Sequence, residues 1–266
     1  MAQDALGNEV SRASDKTLQG IDDFVTGFLG YEKKAVNIIA AADGEPDAVL
    51  ANTYAGFTWM FLEADGAEQA ASAYLRRAQA ASAGANEREL MLLAQLEAWT
   101  GDDVPRAQAI GDEIVARFPR DLASVKLHQY FSFNRGDARN MLRIAQAALP
   151  ENADNPHIHG MLAFGYEQMH DLDTAEREAR HALKLKAKEP WAQHALAHVM
   201  LGTGRVAEGV EFLAEAQKTW VDLNSFMYTH NWWHKALFHI SQGDEQAVFD
   251  AYDQHVWGVE PDYSQD

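Results

Sequence analysis

Residues 190–216 read PWAQHALAHVMLGTGRVAEGVEFLAEA. Trp191 to Leu201 has apolar residues at helical spacing, and so does Val206 to Ala216. Gly204-Arg205 between them is a turn signal. The stretch therefore reads as two amphipathic helices folded back around a tight turn. Gly209 and Ala216, seven apart on the second helix, are the small side chains that close helix packing needs. Ala175 and Ala182 stand in the same relation one unit earlier.

Working outward, the turn signal recurs at Gly30-Tyr31, Asp65-Gly66, Gly101-Asp102, Gly136-Asp137, His170-Asp171, Gly204-Arg205 and Gly243-Asp244. The steps between first turn positions are 36, 35, 35, 34, 34 and 39. A tetratricopeptide repeat is about 34 residues, a pair of antiparallel helices. Pro119, Pro150, Pro156 and Pro190 fall at the joints, where a helix must stop. First helices are expected near 17–28, 47–63, 87–99, 121–134, 156–169, 190–202 and 225–241. Second helices are expected near 32–41, 67–80, 104–117, 138–149, 172–186, 206–219 and 245–257. No strand or hairpin stands out. The fold expected is all-α, a right-handed α-solenoid of about seven antiparallel helix pairs. It would form a single domain over 16–259, with a polar N-terminal arm over 1–15 and a polar C-terminal tail over 260–266.

Four segments resemble one family: Asp4-Ala-Leu-Gly-Asn, Phe118-Pro-Arg-Asp121, Pro190-Trp-Ala-Gln-His-Ala-Leu-Ala-His-Val199, and Asn231-Trp-Trp-His-Lys-Ala-Leu-Phe-His239. The chain resembles the tetratricopeptide repeat protein 38 family, bacterial branch, over nearly its whole length. Plain repeats of this class do not carry the paired His and Trp of the last two segments. The resemblance implies an all-α repeat fold and no established chemistry. It also implies further helices beyond the point where this chain stops.

Composition narrows the partners. The 266 residues carry 40 acidic and 22 basic side chains, a net charge of −18. Such a surface repels phosphate backbones and anionic lipid heads, so neither nucleic acid nor membrane is expected. Cysteine is absent, which removes thiolate catalysis, disulfides and Cys-held metals together. No transmembrane run and no signal-type apolar run is present, so the expectation is a cytoplasmic protein. There is no phosphate loop of the GxxxxGK[ST] type and no GxSxG motif.

Histidine is the unusual residue: ten of eleven lie between His157 and His255. Positions 13, 10, 6 and 3 before each turn share one helix face, expected to line a concave groove. In the fourth repeat these include Tyr130. In the fifth they are His157, Gly160, Phe164 and Glu167, and in the sixth Trp191, His194, His198 and Leu201. In the seventh they are His230, Trp233, Leu237 and Ile240, with His234 one step aside. His194/His198 and His230/His234 are each i, i+4, which puts two imidazoles on one face. Two such pairs could hold a divalent metal (zinc, iron or manganese), with Glu167 a possible oxygen ligand. The alternative is that each His only bonds a neighbouring carboxylate or carbonyl. Trp232 is expected in the core.

Two functional readings follow. One is a binding protein whose His/Trp-rich groove takes a peptide, a partner subunit or a small molecule. The other is a metal-assisted hydrolase or lyase, with His194, His198 and Glu167 as catalytic candidates. Val248, Phe249, Tyr252 and Trp257 in the last pair point to a homo-oligomer or a second chain over 245–257.

Overall fold

The computed structural model describes residues 2–259, so the expected tail over 260–266 lies outside the described residues. The fold is all-α, built from helix pairs, and it divides into two compact units, Met1–Asn152 and Ala153–Asp266.

The first unit holds four pairs: α1 (Asp15–Gly30) with α2 (Asn37–Gly44), α3 (Val49–Met60) with α4 (Ala67–Ala81), α5 (Glu87–Thr100) with α6 (Val104–Arg117), and α7 (Leu122–Asn134) with α8 (Ala138–Ala148). The second unit holds three: α9 (Pro156–Gln168) with α10 (Leu172–Leu185), α11 (Pro190–Gly202) with α12 (Val206–Ala216), and α13 (Ser225–Gln242) with α14 (Glu245–Ala251). These are the expected pairs. The second helix of the first pair starts late, because a 3-10 turn over Lys33–Val36 comes first. The last helix is shorter than expected, giving way to a π-helical turn over Tyr252–Val256.

The turns explain the period. A left-handed residue closes the first helix of a pair: Asp102, Gly136, His170, Gly204 and Gly243, with φ between 58° and 73°. An N-cap follows at once. Asp103, Asp137, Asp171 and Asp244 each accept a bond from the backbone N–H three residues on. Asp102 takes the left-handed position in its turn rather than Gly101, the first residue of that turn signal. The long last step of 39 residues comes from the segment 217–224 and from the length of α13, 18 residues against 13 in α11. The segment inserts Trp220 into the core, where its indole N–H donates to Gln193 Oε1 at 2.8 Å.

Packing follows the small residues. Ala175 and Ala182 are fully buried and Gly209 is buried. A Cβ on Gly209 would sit 2.0 Å from the Phe238 ring, so α12 approaches α13 as closely as a backbone can. The first helices α7, α9 and α11 are buried nearly all round, whereas α10 buries only Ala175, Ala179 and Ala182.

The residues read as an arm are tied down. Ala2–Gln3 and Glu9–Val10 form a short antiparallel pair, although no strand was expected. Asp4 and Asp121 flank Arg88 on α5, at 3.4 and 2.8 Å, with all three side chains buried. Arg88 also donates to the Glu9 carbonyl. Burial pushes the Asp4 carboxyl up, and the Arg88 charge offsets only part of that. A polar segment finds a buried guanidinium far along the chain, which no local pattern announces.

Three outcomes follow for urea unfolding. Arg88→Met leaves two buried carboxylates without their cation and is expected to cost about 3–5 kcal/mol. Arg180→Met, which breaks exposed pairs with Glu176 and Glu208, should cost ~1 kcal/mol or less. Gly209→Leu drives side-chain atoms into the Phe238 ring and should cost at least about 1–3 kcal/mol by overpacking.

Candidate functional site

The second unit concentrates the predicted site residues. Glu189 caps α11 by accepting the Ala192 N–H, which starts the helix at Pro190 and sets the phase of His194 and His198. Asn224 caps α13 by accepting the Met227 N–H and sets the phase of His230 and His234. Gly160 lets α9 pass close to the start of α11, since a Cβ there would lie 2.8 Å from Glu189 Oε2. That approach brings Phe164 against Trp191, ring centroids 4.5 Å apart.

The four histidines meet. One nitrogen from each of His194, His198, His230 and His234 lies within 4.8 Å of the others. His194 Nε2 is 2.9 Å from His230 Nε2, and His234 Nε2 is 3.1 Å from both His230 Nε2 and His198 Nε2. Two helices therefore supply two imidazoles each. His194 and His234 are 3% and 4% exposed, whereas the His198 side chain is 27% exposed.

An aromatic shell closes around them. Trp191 stacks on His194 at 4.6 Å and 17°. Phe226 stacks on His230 at 5.5 Å and 19°. Trp233 lies 4.9 Å from His234, with one side in solvent. Glu167 reaches His198 Nδ1 at 3.2 Å.

Burial governs the charge state. It pushes His194 well below the ordinary histidine range, and the three neighbouring imidazoles add to that. His230 is pushed down to about 4 and His234 to about 2, again by burial first and by neighbouring histidines second. Burial raises the Glu167 carboxyl, but the hydrogen bonds from His198 and Gln168, with nearby histidines, together more than offset it, so the net direction is down. Neutral imidazoles beside an ionised carboxylate are the forms that bind metal ions.

Other predicted residues have different partners. His157 is buried, its Nδ1 3.0 Å from Glu189 Oε1, the carboxylate that caps α11. Tyr130 belongs to the first unit, where its hydroxyl bonds Glu63 and its ring packs on Phe61 and Trp99. Trp232 is half-buried, against Trp220 and stacked on His255 at 3.7 Å. Phe226 and Glu189 were not among the sequence candidates. Phe226 stands four residues before His230, so the same face rule reaches it; Glu189 precedes Pro190, where an acidic cap is a helix-start signal.

This is a tetratricopeptide-type helical repeat. The chain is similar to a tetratricopeptide repeat protein from Parabacteroides merdae at 12% identity and a TM-score of 0.54, covering 90% of this chain and 92% of that one. It is also similar to yeast Tom70 at 12% identity and a TM-score of 0.51, covering 91% of this chain and 60% of that one. At such identities the likeness is one of fold. No family model matches the chain. Among the described residues, no helix is long and apolar enough to cross a membrane.

Glu189 has two tasks, capping α11 and holding His157. Glu189→Ala removes both and leaves a buried imidazole nitrogen without its partner. The expected loss in urea unfolding is about 2–3 kcal/mol.

Proposed function

We propose that this protein is a binding scaffold whose partner is another protein, recognised on the first-helix face of the second unit. The observation that carries this reading is the set of large apolar side chains left in solvent along α13. Trp233 is 43% exposed and Ile240 59% exposed, seven residues apart and so on one face. Soluble chains rarely leave such side chains grouped in water unless something covers them. A half-exposed Trp beside a buried aromatic layer is the usual form of an energetic anchor. The tetratricopeptide-type fold supports the same reading, because stacked helix pairs present extended faces to partners.

The net charge of −18 favours a basic or neutral partner. Exposed Phe249, Tyr252 and Trp257 at the last helix pair would extend the covered surface or receive a second chain. The segment resemblance supports placing the chain beside the tetratricopeptide repeat protein 38 family. The hydrolase or lyase reading finds less support. His194 is buried with Nε2 turned to His230, so it presents no base to a substrate.

Trp233→Ala tests the reading, since the ring is exposed enough to remove without opening the core. Affinity capture with wild type and variant from the same native lysate should recover at least one protein with wild type alone. Identical recoveries from both, or no specific recovery by wild type, would remove this function.

A further inference from the structure

We propose that His194, His198, His230 and His234 bind one zinc ion, held between α11 and α13 by four imidazole nitrogens.

The argument begins with counting protons. A neutral imidazole has one N–H, on either Nδ1 or Nε2. The Nε2 atoms form a chain of three close contacts: His198 to His234, His234 to His230, and His230 to His194. His198 Nδ1 faces the Glu167 carboxylate, so the His198 proton belongs there and its Nε2 carries a lone pair. His234 must then donate to His198. That uses the only Nε2–H of His234, which has no lone pair left for His230. If His230 donates to His194, two N–H groups oppose each other between His234 and His230. If His230 accepts from His194, its one lone pair faces two hydrogens. No neutral arrangement turns all three contacts into good hydrogen bonds.

The outer nitrogens sharpen the point. Nδ1 of His194 and Nδ1 of His234 are buried with no hydrogen-bond partner. Moving protons onto Nδ1 relieves the crowding at the centre but directs four lone pairs at one another. A buried imidazolium inside the aromatic shell is disfavoured by desolvation. A cation at the centre resolves the conflict, because four converging lone pairs are then its ligands.

Spacing and donor type select the ion. Metal–nitrogen bonds of about 2.0–2.1 Å in a tetrahedron place the nitrogens about 3.3 Å apart. The three contacts of 2.9 and 3.1 Å need a few tenths of an ångström of expansion, and the wider separations, all within 4.8 Å, must close around the ion. The rings are steeply tilted to one another, 50° to 82° with centroids 4.4 to 4.8 Å apart, so the donors surround a point. Magnesium and calcium prefer oxygen donors, and copper(II) prefers a planar array; imidazoles in a tetrahedron favour zinc. Four protein ligands leave no open position, so the ion would clip α11 to α13 rather than activate a water. The Glu167–His198 pair is the carboxylate–histidine arrangement that orients a ligand. His198, with 27% of its side chain exposed, gives an entry route. The inference does not depend on the protein-binding reading, and its test uses no partner.

The untagged full chain is stripped with a chelator and titrated with Zn²⁺ by calorimetry and with Co²⁺ by visible absorption. Expected are one ion per chain, an intense tetrahedral-type Co²⁺ spectrum, and a thermal midpoint that rises with added Zn²⁺. Glu167→Gln should weaken Zn²⁺ binding about 10–100-fold while leaving the stoichiometry at one. His198→Ala, at a half-buried ligand, should weaken it more with the far-ultraviolet dichroism unchanged. His170→Ala, an exposed histidine outside the cluster, should bind as wild type does. Failure of wild type to bind Zn²⁺ saturably, a weak octahedral-type Co²⁺ spectrum, or unchanged affinity in folded His198→Ala would each overturn the site.

Discussion

A pair of amphipathic helices cannot bury its apolar face by itself, and every level of this structure depends on that constraint. The face must be covered by the next pair, so pairs stack within each unit. The first helices α7, α9 and α11 are buried nearly all round. The second helices meet fewer neighbours and keep one wet face. Close stacking then requires small side chains at the crossings, which is why Gly209 and the alanines of α10 stand where they do.

The same burial decides the fate of polar groups on the first helices. A charge or imidazole carried there loses water, and the loss must be offset by a partner. Arg88 has Asp4 and Asp121. His157 has Glu189. The four clustered histidines instead have mainly one another, an arrangement that neutral imidazoles alone do not satisfy. Of the four, His198 alone has a carboxylate partner, Glu167, which also accepts from Gln168. Unequal satisfaction among otherwise similar buried groups separates a structural network from a site.

The exposed Trp233 and two of the clustered histidines share α13. The face of α13 that turns His230 and His234 inward leaves Trp233 partly in solvent one residue before His234. A helix with imidazoles fixed on one side holds the neighbouring Trp in a defined place. Rigid placement of a large ring lowers the entropy cost of using it in recognition.

The period of the turns was legible in the sequence because a left-handed residue closing the first helix is a local requirement, followed by an Asp cap in four of the pairs. The i, i+4 spacing of His194/His198 and His230/His234 was legible for the same reason: one helix fixes it. The two-residue pairing near the N-terminus was not, because its partner Arg88 lies on a distant helix. Tyr130 and His157 share the helical offset of the clustered histidines, yet one bonds Glu63 and the other Glu189. Offsets along single helices name a face but do not say which residues on different helices come within bonding distance. By itself the sequence determined the repeat, its helices and which histidines share a face. Only tertiary structure, by fixing how closely α9, α11 and α13 approach, decided which side chains converge and which are left in water.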